Sequence, residues 1–426
     1  VGVSTFTQDD GAVNVFLGNG QSLVVGNIAS RLDTFPDPFQ AGRVNVGISG
    51  LSLQSDISRF LSGGELGALV DARNTLVDRS RAQLGVIAVG LTESVNRQSR
   101  LGLNLDGNLG TDFFRPLEPS VTPQSTNAGT GTVSAVLVDV AALTGDTYEL
   151  RFDGTDYTLR NTRTGAAQTG PGPFLVDGVE ITPSGSPAAG DAFLIDPVAQ
   201  AGSLFEALIT DPRTVAAASP LRSAPSLANA GNGELRELAV EDVTNLPLAT
   251  PVTLTFDSNA LGPGLPGFVV SGIAGGPIAY DPAVDSAAGI SATLGGFSFR
   301  LVGTPTDGDV FTIENNVSGS GDNRNALAIA ALQTEPLLAG GTASFQDSYA
   351  ILVADAAVQT RQARAAADTE GTLLDQAVSA RDGIQGVNLD EEAADLIRFQ
   401  QAYQAAARVV QVADEVFQTL LAATGR

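Results

Sequence analysis

Five places in this chain hold side chains that could do chemistry. Asp390-Glu391-Glu392 sets three carboxylates in a row, the raw material of a metal site or of a glycosidase pair, in which two carboxylates flank the scissile bond. Asp307-Gly308-Asp309 and Asp106-Gly107-Asn108 have the look of Ca2+ loops. Gly319-Ser320-Gly321-Asp322-Asn323 is a glycine-rich loop of the general kind that cradles phosphate. Arg73, Arg79, Arg81, Arg97 and Arg100 fall within one stretch and could hold an anion.

Spacing argues against each chemical reading. Consecutive carboxylates at a helix start point in divergent directions, and the cap reading explains them fully. Asn388 is a good N-cap, Glu391 three residues on completes a capping-box-like pair, and Asp390, Glu391 and Glu392 suit the positive end of the helix dipole. Neither Asp-Gly loop follows EF-hand spacing, and Asp-Gly at a strand end is usually a turn. Gly319–Asn323 precedes no lysine and reads as a joint, with Asp322 or Asn323 capping the next helix. The five arginines share their stretch with Glu65, Asp71, Asp78 and Glu93, which makes a solvated face. Tyr148, Tyr157, Tyr280, Tyr349 and Tyr403 are too scattered for a stacking platform.

Composition narrows the field further. All 23 basic residues of the 426 are arginine, against 47 acids, for a net charge of −24; lysine, histidine, cysteine, methionine and tryptophan are absent. No Ser–His–Asp or Cys–His pair, His/Cys zinc site, P-loop lysine or Schiff-base lysine can be built. A strongly acidic chain is a poor partner for nucleic acid. No apolar run reaches 18 residues, so no membrane insertion is expected, and no signal peptide opens the chain. The expectation is a non-enzyme with no cofactor, no metal and no catalytic residue. Absence of cysteine suits a protein that works outside the reducing cytosol without disulfides.

The elements follow from periodicity. Residues 1–50 alternate in the β manner, with Val13, Val15 and Leu17 on one face. From Glu65 to Leu101 the residues Leu66, Leu69, Leu76, Leu84, Ile87, Leu91 and Val95 recur at helical spacing, a helix of about ten turns. Residues 121–316 are rich in Gly, Pro, Ser and Thr and contain a repeat. Gly178–Ile195 matches Gly296–Ile313, sharing Gly185/Gly303, Pro187/Pro305, Gly190/Gly308, Asp191/Asp309 and Phe193/Phe311; Tyr148–Asp153 and Val252–Asp257 are also alike. Two small antiparallel β domains of similar plan are predicted. Phe345, Tyr349, Leu352, Ala356, Gln359, Ala363, Ala366, Glu370, Leu373, Ala377, Ala380 and Ile384 then alternate by four and three, a thin stripe. Leu396, Phe399, Tyr403, Ala406, Val410, Ala413, Phe417 and Leu420 form a stronger one, widened by Ile397, Val409, Val416 and Leu421. A helix over 389–423, about 50 Å long, needs partners on more than one side.

The fold class expected is α+β multidomain, with long coiled-coil-like helices (65–101, 324–386, 389–423) and inserted antiparallel β domains. Expected divisions are 1–62, a β lobe of a middle domain; 63–120, the long helix; 121–198, a first β domain; 199–250, a helical or irregular connection; 251–316, a second β domain; 317–386, return helices; and 387–426, a C-terminal coiled-coil helix.

Gly386–Val409, continuing to Leu421, resembles the C-terminal signature of bacterial flagellar axial proteins, in the version of the hook-associated protein 1 family, the FlgK-type hook–filament junction proteins. Gly63–Arg73 with its helix, Asp112-Phe113-Phe114, Gly190–Phe193, Gly321–Ala326, Leu332–Gln333 and Phe345–Val353 extend the resemblance over most of the chain. It implies a structural component joining hook to filament, extracellular on the flagellum, exported by the type III route without a cleaved signal peptide and assembled by packing of terminal helices. It also implies self-association in a ring, contacts with the hook protein and with hook-associated protein 3, and an export chaperone at the C-terminal helix. Interface roles are carried over to Leu389, Leu396, Phe399, Tyr403, Val410, Phe417 and Leu420. The family's N-terminal helices have no counterpart in this chain, which begins at Val1 and reads as the interior of a longer protein. Alternatives are another flagellar axial protein of hook or rod type, an acidic β-rich surface adhesin, or a carboxylate hydrolase of cell-wall glycan.

Overall fold

The computed structural model describes residues 3–9, 11–18, 20–49, 56–61, 63–317, 319, 321–385 and 389–425. They divide into two units, 1–358 and 359–426.

The first unit opens with a β lobe. Strands β1 (Val3–Thr7), β2 (Val13–Leu17), β3 (Ser22–Val25) and β4 (Ile28–Ala29) pair in sequence order, and β5 (Leu32–Pro36) pairs with β6 (Val44–Ile48). Leu17, Val46, Ile48, Ile57 and Leu61 close a small core with Val70 of helix α1 (Gly64–Asp71). The chain runs on through a π-helical segment, Ala72–Asp78, into α2 (Arg79–Arg100). The ten-turn helix expected from the sequence is thus continuous but not uniformly α. Of its apolar stripe Val95 is buried, whereas Leu69 and Leu84 lie exposed.

The first β domain follows. Strands β7 (Ser120–Pro123), β8 (Thr132–Leu137), β9 (Tyr148–Phe152), β10 (Tyr157–Asn161), β11 (Ala167–Gly170), β12 (Phe174–Val176), β13 (Val179–Ser184) and β14 (Ala192–Asp196) form two antiparallel sheets, ordered 11-10-9-14-7 and 12-13-8. Alternate residues of both sheets (Tyr148, Leu150, Leu159 and Ile195 from one, Phe174, Val179 and Ile181 from the other) share one core, which also takes in Val89 of α2. A short helix α3 (Ala201–Leu204) leads away from it.

The second β domain repeats this plan. Strands β15 (Leu221–Pro225), β16 (Glu234–Val240), β17 (Val252–Gly262), β18 (Leu265–Ser271), β19 (Ile278–Ala279), β20 (Ile290–Leu294), β21 (Phe297–Val302) and β22 (Val310–Asn315), with a one-turn helix α4 (Pro282–Asp285), give sheets ordered 15-22-17-18-19 and 16-21-20. Position for position this is the first domain's topology. Strands β15 and β16 lie inside 199–250, the stretch expected to be helical or irregular, so the second domain begins near residue 221 and not at 251. A bulge between Arg236 and Ala239, with Glu237 at φ 54°, breaks the alternation of β16 that would have marked it as a strand.

The repeat goes deeper than the matched segments. Asp191 accepts hydrogen bonds from the N–H groups of Ala128, Gly129 and Ala188 at 2.8, 3.0 and 2.8 Å; Asp309 accepts from Ala230, Gly231 and Thr306 at 2.8, 3.0 and 2.8 Å. Asn127 exchanges a pair of bonds with the backbone of Ala192, and Asn229 does the same with Val310. The donors lie on two short runs, Asn127-Ala-Gly-Thr-Gly131 and Asn229-Ala-Gly-Asn-Gly233. Each pins the first loop of its domain to the turn before the last strand. The glycines permit the approach: a Cβ on Gly231 would lie 2.6 Å from Asp309 Oδ2, and one on Gly129 2.5 Å from Asp191 Oδ2.

Beyond β22 the chain re-enters helix at α5 (Arg324–Ala331), turns through Pro336 and Gly340-Gly341, and starts α6 (Phe345–Gln385). The return is thus made by two helices, α5 and the start of α6. Leu332, Leu338 and Phe345 pack with Val95 of α2. In the second unit, the distal part of α6 and then α7 (Leu389–Thr424) are helices with exposed residues.

Gly231→Ala should destabilise the chain by roughly 1–3 kcal/mol, the usual range for forced overpacking, whereas Gly276→Ala, where a Cβ meets nothing within 4 Å, should be near neutral. Denaturant midpoints of the two variants against the parent decide this.

Candidate functional site

Two features stand out once the elements are placed. The first is the surface of α7. Leu396, Phe399, Tyr403, Val410, Phe417 and Leu420 lie on its 3,4 seam and are 66, 74, 78, 68, 63 and 58 % exposed. Ile397, Val409, Val412, Val416 and Leu421 are exposed beside them. Together they make a long exposed apolar face. The distal part of α6 adds exposed Leu373, Leu374 and Val378. Asp390, Glu391 and Glu392 stand in the first turn of α7, as the dipole argument expects. Asn388 lies outside the described residues, as does the side chain of Leu389, so the capping pair and one seam position have no structural counterpart here.

The second feature is a buried polar junction at the end of α2, where the chain departs for each β domain and returns. Asn96, fully buried, accepts from the N–H groups of Phe113 and Phe114 at 2.9 and 2.8 Å and donates to the Phe114 carbonyl at 2.8 Å. Ser99 donates to the carbonyl of Thr111. Asn325 of α5 accepts from Gln98 Nε2 at 2.7 Å and donates to the carbonyl of Ala216 at 2.6 Å. Asp322 accepts from Ser219 N–H, Asn316 Nδ2, and the backbone and guanidinium of Arg324, while that guanidinium also donates to the Leu221 carbonyl. Of the two residues expected to start α5, it is Asp322 that receives a helix N–H, that of Arg324. No sequence pattern pointed to Asn96, and Asn325 lies in the resembling segment Gly321–Ala326 without a role assigned to it.

The other candidate residues resolve into structural roles. Asp307 accepts from Ser258 N–H, Asp309 is spent on its three N–H donors, and Asp106 pairs with Arg213 at 2.5 Å. Arg73 donates to Val44 O, Arg79 faces Asp355 at 3.5 Å, and Arg100 pairs with Asp112 and Glu93. Among the described residues no three His, Cys, Asp or Glu side chains are grouped to hold a metal ion.

Comparison with known proteins fits this arrangement. The family model for the flagellar hook-associated protein FlgK helical domain matches residues 1–114, that for the hook-associated protein 1 D2-like domain matches 122–197, and that for the flagellar basal body rod FlgEFG protein C-terminal region matches 384–423, the span of α7. A solved structure, the flagellar hook junction protein FlgK from Burkholderia pseudomallei, is 30% identical, superposes with a TM-score of 0.76, and is matched over 91% of this chain and 75% of its own. The chain belongs to the FlgK family. Flagellar hook-associated protein 1 of Escherichia coli K12 is 27% identical over 427 residues, and that of Salmonella typhimurium LT2 27% over 428. Each match covers 99% of this FlgK-family chain, which spans 61% of the length of each of these relatives. Among the described residues no helix is long and apolar enough to cross a membrane.

The junction and the domain cores carry charges that respond to acid. Burial raises the carboxyl of Asp322, but bonds from Arg324 and Ser219 outweigh it and hold the group below 3.8; at Asp146, burial is likewise outweighed by Arg163 and Asn161. Such groups supply stability that is complete above the unfolded value and lost as pH falls through the folded one. Asp196 works the other way, because burial holds it above 3.8 and its ionisation opposes folding as pH rises. Melting temperature should therefore fall below about pH 4 in the parent, and less steeply in Asp322→Asn, from which one depressed group is gone. Equal slopes in a pH series of melts would contradict the assignment. Asn96→Ala, which strands two N–H groups and a carbonyl, should cost at least about 2 kcal/mol at neutral pH, read by denaturant titration.

Proposed function

We propose that this chain belongs to a structural component of the bacterial flagellum that joins hook to filament. It is extracellular, and it assembles by packing of its terminal helices after type III export. The observation that carries the reading is the unpartnered seam of α7, on the segment that matches the family's C-terminal model. Leu389, Leu396, Phe399, Tyr403, Val410, Phe417 and Leu420 are its contact residues. Its partners are further copies of itself in a ring, the hook protein on one side and hook-associated protein 3 on the other. An export chaperone shields α7 before assembly, since so long an apolar face would otherwise aggregate. Its role is packing, not catalysis. Support comes from the hook-associated relatives and from carboxylates that are committed to turns, ion pairs and backbone donors.

Phe399 and Phe417 are exposed here and would be covered on assembly; truncating a phenylalanine so buried costs about 3–5 kcal/mol, so Phe399→Ala with Phe417→Ala should abolish retention on hooks. The expected result is a non-motile strain that still exports the protein into the medium. Normal motility with the variant retained on isolated hooks would overturn the reading.

A further inference from the structure

The π segment between α1 and α2 sits at a mechanical boundary. Seven residues, Ala72–Asp78, follow the wider winding, and none of them is buried. On its N-terminal side Leu66 and Val70 of α1 join the core of the β lobe. On its C-terminal side Ala82, Val86 and Val89 of α2 join the core of the first β domain. Among the described residues no apolar cluster spans the segment. Polar bonds tie the lobe to the segment itself: Arg43 of the lobe donates to Asp78 Oδ2 at 2.8 Å and to Asn74 Oδ1 at 3.0 Å, and Arg73 donates to the carbonyl of Val44 at 2.8 Å. One backbone bond, Ser125 N–H to Pro38 O at 3.1 Å, ties the lobe to the first β domain. Within the segment Thr75 Oγ1 donates to the carbonyl of Asp71 at 2.8 Å, supplying a donor where the regular ladder is disturbed.

A π-bulge stores one residue more than an α-helix of the same phase. If it rewinds as α, the two flanks must turn relative to each other by one residue's rotation, about 100°. We propose that Ala72–Asp78 is a hinge with two windings, and that Arg43 and Arg73 hold it in the π state. Rewinding swings the lobe and α1 as a body about the α2 axis. It re-aims β1, an edge strand exposed along its whole length with Phe6 63% accessible. This inference is independent of the family reading.

The chain contains no cysteine, so spin labels can be placed cleanly. Nitroxides at Ser30→Cys in the lobe and Gln168→Cys on β11 of the 426-residue chain report the angle by pulsed electron–electron resonance. The parent should give one dominant distance, with any second population below about a tenth. Arg43→Ala with Arg73→Ala should raise a second, resolved distance to a major fraction, and Asn74→Ala should do so more weakly. Deleting Thr75 from the double variant removes the stored residue and should restore a single distance near the parent's. Circular dichroism establishes that each variant is folded. A double variant with the parent's single distance overturns the hinge, and so does a second distance that survives the deletion.

Discussion

The chain leaves its helical domain twice and must come back twice, and everything else rests on how those departures are closed. Each β domain is an insertion whose two ends emerge side by side, so the stems have to be fixed where apolar packing has little depth. Hydrogen bonds to buried asparagines do this. Asn96 satisfies two N–H groups and a carbonyl of Phe113–Phe114, Asn325 links Gln98 of α2 to the Ala216 carbonyl, and burial makes any alternative pairing expensive.

Much of this was legible before any coordinates. The α7 seam was visible because 3,4 alternation of large side chains survives without a partner. The β repeat was visible because Gly-Asp before a strand is chemically constrained. The Asn-Ala-Gly runs that complete each clamp escaped notice because they recur at a shorter spacing than the turns they grip. The hairpin β17–β18 is longer in the second copy, and the constant offset therefore fails across it. The bulge in β16 hid a strand, and the π segment left no trace in an apolar stripe that reads equally well as plain α-helix.

The candidate carboxylates are committed in more than one way: Asp106 to Arg213, Asp307 to one backbone N–H and Asp309 to three. Carboxylates beside glycine have the look of Ca2+ loops in the sequence. Asp309 and Asp191 instead accept three backbone N–H groups each, which fills the oxygens a cation would need. An acid that anchors a loop in this way is as specific in its spacing as a ligand, which is why sequence alone cannot part the two roles.

The clamp has a further consequence. Its carboxylate, glycine and asparagine all lie within a single β domain, while Ser219, Asn316 and Asp322 belong to the stem. Closure of the module and attachment of the module are thus separate tasks assigned to separate residues. The second module, whose core takes in no residue of α2, can be enlarged or lost at its stem without refitting that helix, whereas the first shares Val89 with it.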